Sequence, residues 1–359
     1  MSQSVEARFL EQADEFVELA LKELGYDSPA EAVKALEEPP IPMTPVIIDD
    51  FLQLSAAERS AIREAFYGPF GTAYYIVRNH ETAPVLGHML LDISEQLVDE
   101  IPVRYPLDHE KDGKKRRIER LGTDHGIVEV YDEGGSGVTG SDDLYAHQAG
   151  MGSCGSVATT IIHADIAPHF GGFTYFQNVA QAALALAETD PAAFRALFYP
   201  DALTVQRRAG RPGLRLQAPV LFVNTSGEPQ SLIQTGNKGY ETTWRAGDEV
   251  DRGRRHIQRV LRPLAGGSGF VHFTSPGQGV ITRNAPIAHG RTAFGDLDKE
   301  MPARRLARKW YSISPEFTTP RQAPGLTIKR EYAELFPRFL DQEGVWQFDA
   351  EAGANLRIS

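Results

Sequence analysis

Two histidines far apart in the chain carry the first chemical signal. His147 stands in Tyr145-Ala146-His147-Gln148-Ala149-Gly150, and His289 in Asn284-Ala285-Pro286-Ile287-Ala288-His289-Gly290-Arg291. Neutral imidazoles on rigid elements are nitrogen donors for a transition metal such as non-haem iron, provided that positions stay open for other ligands. Two histidines alone mean little in a chain that has ten; the surrounding spacing is what singles them out. Gly171-Gly172-Phe173-Thr174 places Thr174 27 residues past His147, and Arg304 lies 15 residues past His289, with Arg308 beyond it. Guanidinium is always charged and binds in two places at once, which suits it to gripping a carboxylate or a phosphate. Position 149, where a carboxylate would complete a His-x-Asp/Glu plus distal His set, holds an alanine with no donor atom.

In this order the motifs resemble those of the Fe(II)/2-oxoglutarate dioxygenases of the taurine dioxygenase and clavaminate synthase group, over roughly residues 120–315. The resemblance implies Fe(II) on His147 and His289, and 2-oxoglutarate on Thr174 and Arg304, with Arg305 the alternative one residue on. It also implies that Arg308 faces the substrate. In the family's halogenating branch the carboxylate is lost and chloride takes the freed coordination site. Ala149, with Gly150 adding room beside it, therefore points to a halogenase. Such an enzyme consumes O2 and chlorinates an unactivated C–H by hydrogen abstraction and chlorine rebound. A hydroxylase using water or an outside acid at that site, and a non-catalytic binding protein on an oxygenase fold, are the alternatives.

Other donors compete for the third position. His163-Ala164-Asp165 is a literal His-x-Asp, but Thr174 then lies only 11 residues downstream and the Gly-Gly-x-Thr spacing is lost. Asp142 and Asp143 precede the motif in a Gly-rich loop, 134–143, and Cys154 reads as a packed thiol. Arg283 stands before Asn284, where relatives often have an acid.

The net charge of −11 and pI near 5.4 argue against a nucleic-acid polymer or a membrane surface as partner. A single cysteine excludes an internal disulfide and suits a reducing interior. With no long apolar run and no signal-peptide plan at the start, a cytoplasmic protein is expected. Residues 205–262 reverse the overall sign: eleven Lys/Arg stand against five Asp/Glu, a local balance of +6. Arg207, Arg208, Arg254 and Arg255 there are candidates for gripping a small anionic substrate, a nucleotide or an amino acid, if the segment forms a lid. An acidic carrier protein docking on it is the alternative, and a solvated face is the plainest reading.

The elements that must position these groups divide the chain. Phe9, Leu10, Ala13, Phe16, Val17, Ala20, Leu21 and Leu24 recur at helical spacing and stop at Gly25. Ser28-Pro29 opens a second helix that Pro39-Pro40 ends, and Ser55-Ala56-Ala57-Glu58 is a capping box for a third, so residues 1–70 read as a helical part packed on the core. From about residue 73 short strands follow between Gly-rich turns: 73–78, 126–131, 156–164, 219–224, 269–274, 279–282 and 309–313. Helices are expected at 178–188 and after Asp190-Pro191. The predicted fold is mainly β with flanking helices, a double-stranded β-helix or jelly roll of the clavaminate synthase type, in one catalytic domain over 1–359.

Overall fold

The computed structural model describes residues 5–83, 86–107, 110–111, 114–115, 128–131, 142–149, 157–207, 215–223, 229–233, 240–295, 304–312, 346–348 and 356–358. Its helices are α1 (Val5–Leu24), α2 (Pro29–Glu37), α3 (Ala56–Phe66), α4 (Leu86–Glu95), α5 (Val179–Thr189), α6 (Pro191–Ala196) and α7 (Asp248–Val260). The capping box forms as the sequence implies: Ser55 accepts from the Glu58 N–H, and Glu58 accepts from the Ser55 N–H at 2.6 Å. Asp190 caps α6 by accepting from Ala193, with Pro191 in the first turn where no N–H is needed. No helix among the described residues is long and apolar enough to cross a membrane.

Two sheets make the centre. The first runs Ile41–Pro42, Gly269–Val271, Thr174–Asn178, Ile287–Arg291, Leu144–His147. The second runs Val46–Ile48, Thr72–Val77, Gln278–Arg283, Val157–Ile166, Arg305–Ser312, with Tyr105–Leu107 and Val128–Tyr131 both pairing on the last strand. Period-two alternation sorts their side chains. Phe176, Val271 and Ile287 from the first sheet meet Tyr74, Ala164, Val280 and Leu306 from the second in one buried cluster. The outer face of the first sheet, with Tyr175 and Ala288, packs on α1, α2, α5, α6 and α7. That of the second, with Tyr75, Ile161, Ala307 and Tyr311, packs on α3 and α4. The result is a jelly roll sheathed in helices.

Apolar packing and buried polar pairs hold these layers together. Phe16, Phe194 and Phe198 meet edge-on at centroid distances of 5.2–6.1 Å, fastening α1 to α6; such pairs contribute about 0.5–1.5 kcal/mol each beyond area burial. Arg283 ion-pairs with Glu23 at 2.7 Å, so the basic residue that stands where relatives often have an acid ties α1 to the sheet. On the helix-covered face of the second sheet, His163 is fully buried and its Nδ1 shares a hydrogen bond of 3.0 Å with the Tyr75 hydroxyl.

Burial holds the His163 pKa down at about 3, with the charge of His80 pushing the same way. The folded chain thus refuses a proton that the unfolded chain accepts below about pH 6.5, so this residue's contribution to stability is lost as pH falls through that window. His163→Gln is expected to flatten the acid side of the stability profile by up to about 1.4 kcal/mol per pH unit. Urea unfolding of the two proteins between pH 4 and 7 measures it, and parallel profiles would contradict the assignment.

Candidate active site

His147 and His289 come from the two neighbouring strands at one side of the first sheet, where they are direct cross-strand partners. Their ring centroids lie 4.9 Å apart, tilted by 47°. The pairing holds because Gly290 lies over Tyr175: a Cβ there would run into the phenol, whose single hydroxyl proton is shared between the carbonyls of Leu144 (3.2 Å) and Leu261 (3.4 Å). Between His289 and Arg291 the register against the His147 strand shifts by a bulge, a device that re-aims side chains beside sites.

The imidazoles suit metal ligation. Nδ1 of His147 meets the Tyr145 carbonyl at 3.0 Å, which assigns the proton to Nδ1 and the lone pair to Nε2. Nδ1 of His289 is buried with no hydrogen-bond partner. Burial lowers both pKa values, His289 well below the usual imidazole range, and the charge of Arg308 pushes both further down, so both rings are held neutral. Among the described residues no group of three or more His, Cys, Asp or Glu side chains gathers as a metal would need.

Ala149 is buried and packs with Val157 and Trp310. Arg308 lies with its guanidinium 4.6 Å above the Trp310 ring. The main chain of Ala149 is held by Asn284, which accepts from its N–H at 2.7 Å and donates to its carbonyl at 2.9 Å. Gln148 beside it is buried as well; its amide donates to Ser231 Oγ at 3.0 Å and accepts from Ile233 N–H at 2.8 Å.

A second cluster lies along the same inner face. Thr174 is the cross-strand partner of Arg291, and Phe176 that of His289. The Arg291 and Arg304 guanidiniums, both buried, lie 4.5 Å and 4.8 Å from the Phe294 ring. Gly171 and Gly172 both take positive φ, 69° and 74°, which lets the chain pass tightly over Ala293 and Phe294 and enter the Thr174 strand in register.

Three of the competing donors are engaged elsewhere. Asp165 pairs with Arg305, and His163 with Tyr75, both on the helix-covered face of the second sheet. Asp143 is exposed and accepts from the Ala293 N–H at 2.6 Å; Asp142 is exposed. Cys154, Gly150 and Arg208, and most of the loop 134–143, lie outside the described residues, as does the Arg207 side chain. Arg254 and Arg255 do not converge on the histidines: both pair with Asp251 at 2.5 Å on the surface of α7, and Arg252 pairs with Asp190 at 2.6 Å. The helical half of the basic segment is thus built into the helical layer, with His256 bonded to the Ala182 carbonyl on α5. Sequence reading had assigned no role to Gln148, Tyr175, Phe294 or Trp310. The alternation Arg304, Leu306, Arg308, Trp310 along one strand face is the signal that would have found Trp310.

The model of the taurine catabolism dioxygenase TauD, TfdA family matches residues 46–310, which take in both histidines and all of the two sheets except Ile41–Pro42 and the last two residues of Arg305–Ser312. The chain belongs to this family. The family is one of Fe(II)/2-oxoglutarate-dependent oxygenases. A uridine-5'-phosphate dioxygenase from Amycolatopsis sp. is 31% identical over 165 residues, 45% of this chain and 58% of that protein, so the match spans little more than half of that relative. Among solved structures, asparagine oxygenase in complex with Fe(II), 3-hydroxyasparagine and succinate aligns with a TM-score of 0.53 at 16% identity, covering 86% of this chain and 92% of that one. The non-haem iron oxygenase OrfP in complex with Fe and α-ketoglutaric acid gives a TM-score of 0.51 at 14% identity, covering 85% and 92%. At these identities the likeness establishes the jelly-roll fold.

Gly290→Ala in this TauD-family chain is expected to force the His289 strand off the Tyr175 ring and cost about 1–3 kcal/mol, the range for overpacking. Tyr175→Leu is expected to be costly alone, yet the double variant should be less destabilised than the sum of the singles. Chemical unfolding measures the cycle; strict additivity would mean that the glycine and the tyrosine are not coupled.

Proposed function

We propose that this chain is a halogenase: a non-haem iron(II)/2-oxoglutarate-dependent enzyme that installs chlorine on an unactivated C–H of a small anionic metabolite. The observation that carries the reading is Ala149. A buried methyl stands two residues past His147, and among the described residues no third His, Cys, Asp or Glu joins the pair. His147 and His289 are the proposed ligands, and a side chain without a donor or a charge leaves space there for a halide. The Arg308 guanidinium, stacked on the Trp310 that packs against Ala149, brings a positive charge to this side of the pair, which suits an anion.

When bound, iron(II) with 2-oxoglutarate and O2 supplies the oxidising power to break the C–H bond. The chain's residues do the placing. Arg304 and Thr174 are proposed to hold the distal carboxylate of 2-oxoglutarate, because Arg305 is committed to Asp165 on the opposite face. The buried inner-face position of Arg304 suits a fixed, bidentate grip. His147 and His289, kept neutral by burial and by Arg308, present lone pairs at neutral pH.

The relative named for uridine-5'-phosphate favours a nucleotide over an amino acid as the substrate class, taken as a free small molecule. Arg308 is the proposed contact for its anion. Arg207 and Arg208 remain candidates for the phosphate, whereas Arg254 and Arg255 are occupied by Asp251. The same relative, named a dioxygenase, favours a second reading: a hydroxylase, which would turn over without chloride.

Ala149→Asp separates these readings. The new carboxylate would sit beside Trp310 and Arg308, restore a three-ligand set and exclude the halide. Chlorinated product, followed by its isotope pattern in mass spectrometry with nucleotide substrates, is expected to vanish while hydroxylation or no turnover remains. Undiminished chlorination in the variant would overturn the assignment of Ala149, and chloride-independent turnover of the natural chain would select the hydroxylase.

A further inference from the structure

Asn284 is a buried and fully engaged side chain near the histidines. It has one acceptor and two N–H donors, and the structure uses all three. Oδ1 accepts from the Ala149 N–H at 2.7 Å; Nδ2 donates to the Ala149 carbonyl and to the Val157 carbonyl, both at 2.9 Å. Its own N–H donates to the Ala158 carbonyl at 2.8 Å. From the other side, the main chain and side chain of Gln148 are bonded to both polar groups of Ile233, at 3.1 Å and 2.8 Å.

The chemistry that this arrangement prevents is specific. The Ala149 carbonyl belongs to the residue two past His147, the position from which a His-x-Asp motif delivers its carboxylate. A main-chain carbonyl is an oxygen donor acceptable to a divalent metal. If that oxygen were free to turn, it could fill the position that the alanine side chain leaves open. Only an amide of this length satisfies the N–H and the carbonyl of one residue together: aspartate accepts but does not donate, and an aliphatic side chain does neither.

We propose that Asn284 is a positioning residue that keeps the metal's third protein position open to an exogenous anion by holding both main-chain groups of Ala149 out of it. This rests on His147 and His289 being the metal ligands. Asn284 acts through Ala149 and touches no reacting atom. Its loss is therefore expected to spare iron and cosubstrate binding and to weaken the anion.

The test uses the full chain without turnover. Natural protein, Asn284→Ala and Asn284→Ser, with fold checked by circular dichroism, are loaded without oxygen with Fe(II) and 2-oxoglutarate. Chloride, and separately azide, is titrated while the metal-to-cosubstrate charge-transfer absorption is followed. The expected result is iron and 2-oxoglutarate affinity within about threefold of the natural chain, and affinity for both anions lower by about tenfold or more, the scale of one lost buried hydrogen bond. Unchanged anion affinity in both variants overturns the proposal, as does a natural protein that binds iron but neither anion. Azide binding that depends on Asn284, with no chloride binding, sustains the proposal and overturns the halide reading. A natural protein that binds no iron overturns both. If neither variant folds, hydrogen exchange of the Ala149 amide in the natural protein decides: strong protection is expected, and free exchange overturns the clamp.

Discussion

The antiparallel pairing that sets His289 directly opposite His147 is the constraint on which the rest of this molecule depends. A cross-strand pair is fixed by main-chain hydrogen bonds and by the period of two, so a slip of one residue would turn both rings out of the space between the sheets. Several otherwise unrelated features serve that register. Gly290 makes room for Tyr175, Tyr175 bonds back to the His147 strand, and the Gly171-Gly172 turn feeds the Thr174 strand in beside His289. The outer helices contribute by burying the far face of the same sheet, with α5 apolar on nearly every side.

Around the pair, charge is divided by direction. On one side lie Arg308, Trp310 and Ala149, a corner in which Ala149 offers no side-chain metal donor and its main chain is tied by Asn284. Further along lie Thr174, Arg291, Phe294 and Arg304, where two guanidiniums share one aromatic ring. Two anions are thus accommodated in the proposed reading, a halide near the first group and a dicarboxylate near the second. A carboxylate at 149 would neutralise the first corner. The alanine at 149 adds no negative charge to the first corner, which is the sense in which the proposed reading places a halide there.

Much of this was legible because it is local. Capping residues, the apolar stripe before Gly25 and the Asp190-Pro191 helix start specify themselves within one or two turns, and the structure has them where the sequence puts them. The Gly-Gly-x-Thr and His-Gly-Arg runs were readable as spacing, although the positive φ values that require the glycines were not. What was not legible was long-range. The literal His163-x-Asp165 motif is the plainest case: only the tertiary fold reveals that its two side chains are spent on Tyr75 and Arg305. Likewise Arg254 and Arg255 in the basic 205–262 segment read as an anion grip, but both answer Asp251 on α7, and their neighbour Arg252 answers Asp190 at the start of α6. Composition counts charges; it does not pair them.

The central claim is that an exogenous halide occupies the position beside Ala149. Iron K-edge X-ray absorption on the anaerobic Fe(II)/2-oxoglutarate complex, prepared with bromide in place of chloride, tests it most directly. Bromide scatters far more strongly than nitrogen or oxygen, so a ligated halide is unmistakable. The account expects a single bromine in the first coordination shell of the natural chain. A shell made only of nitrogen and oxygen at saturating bromide would contradict it.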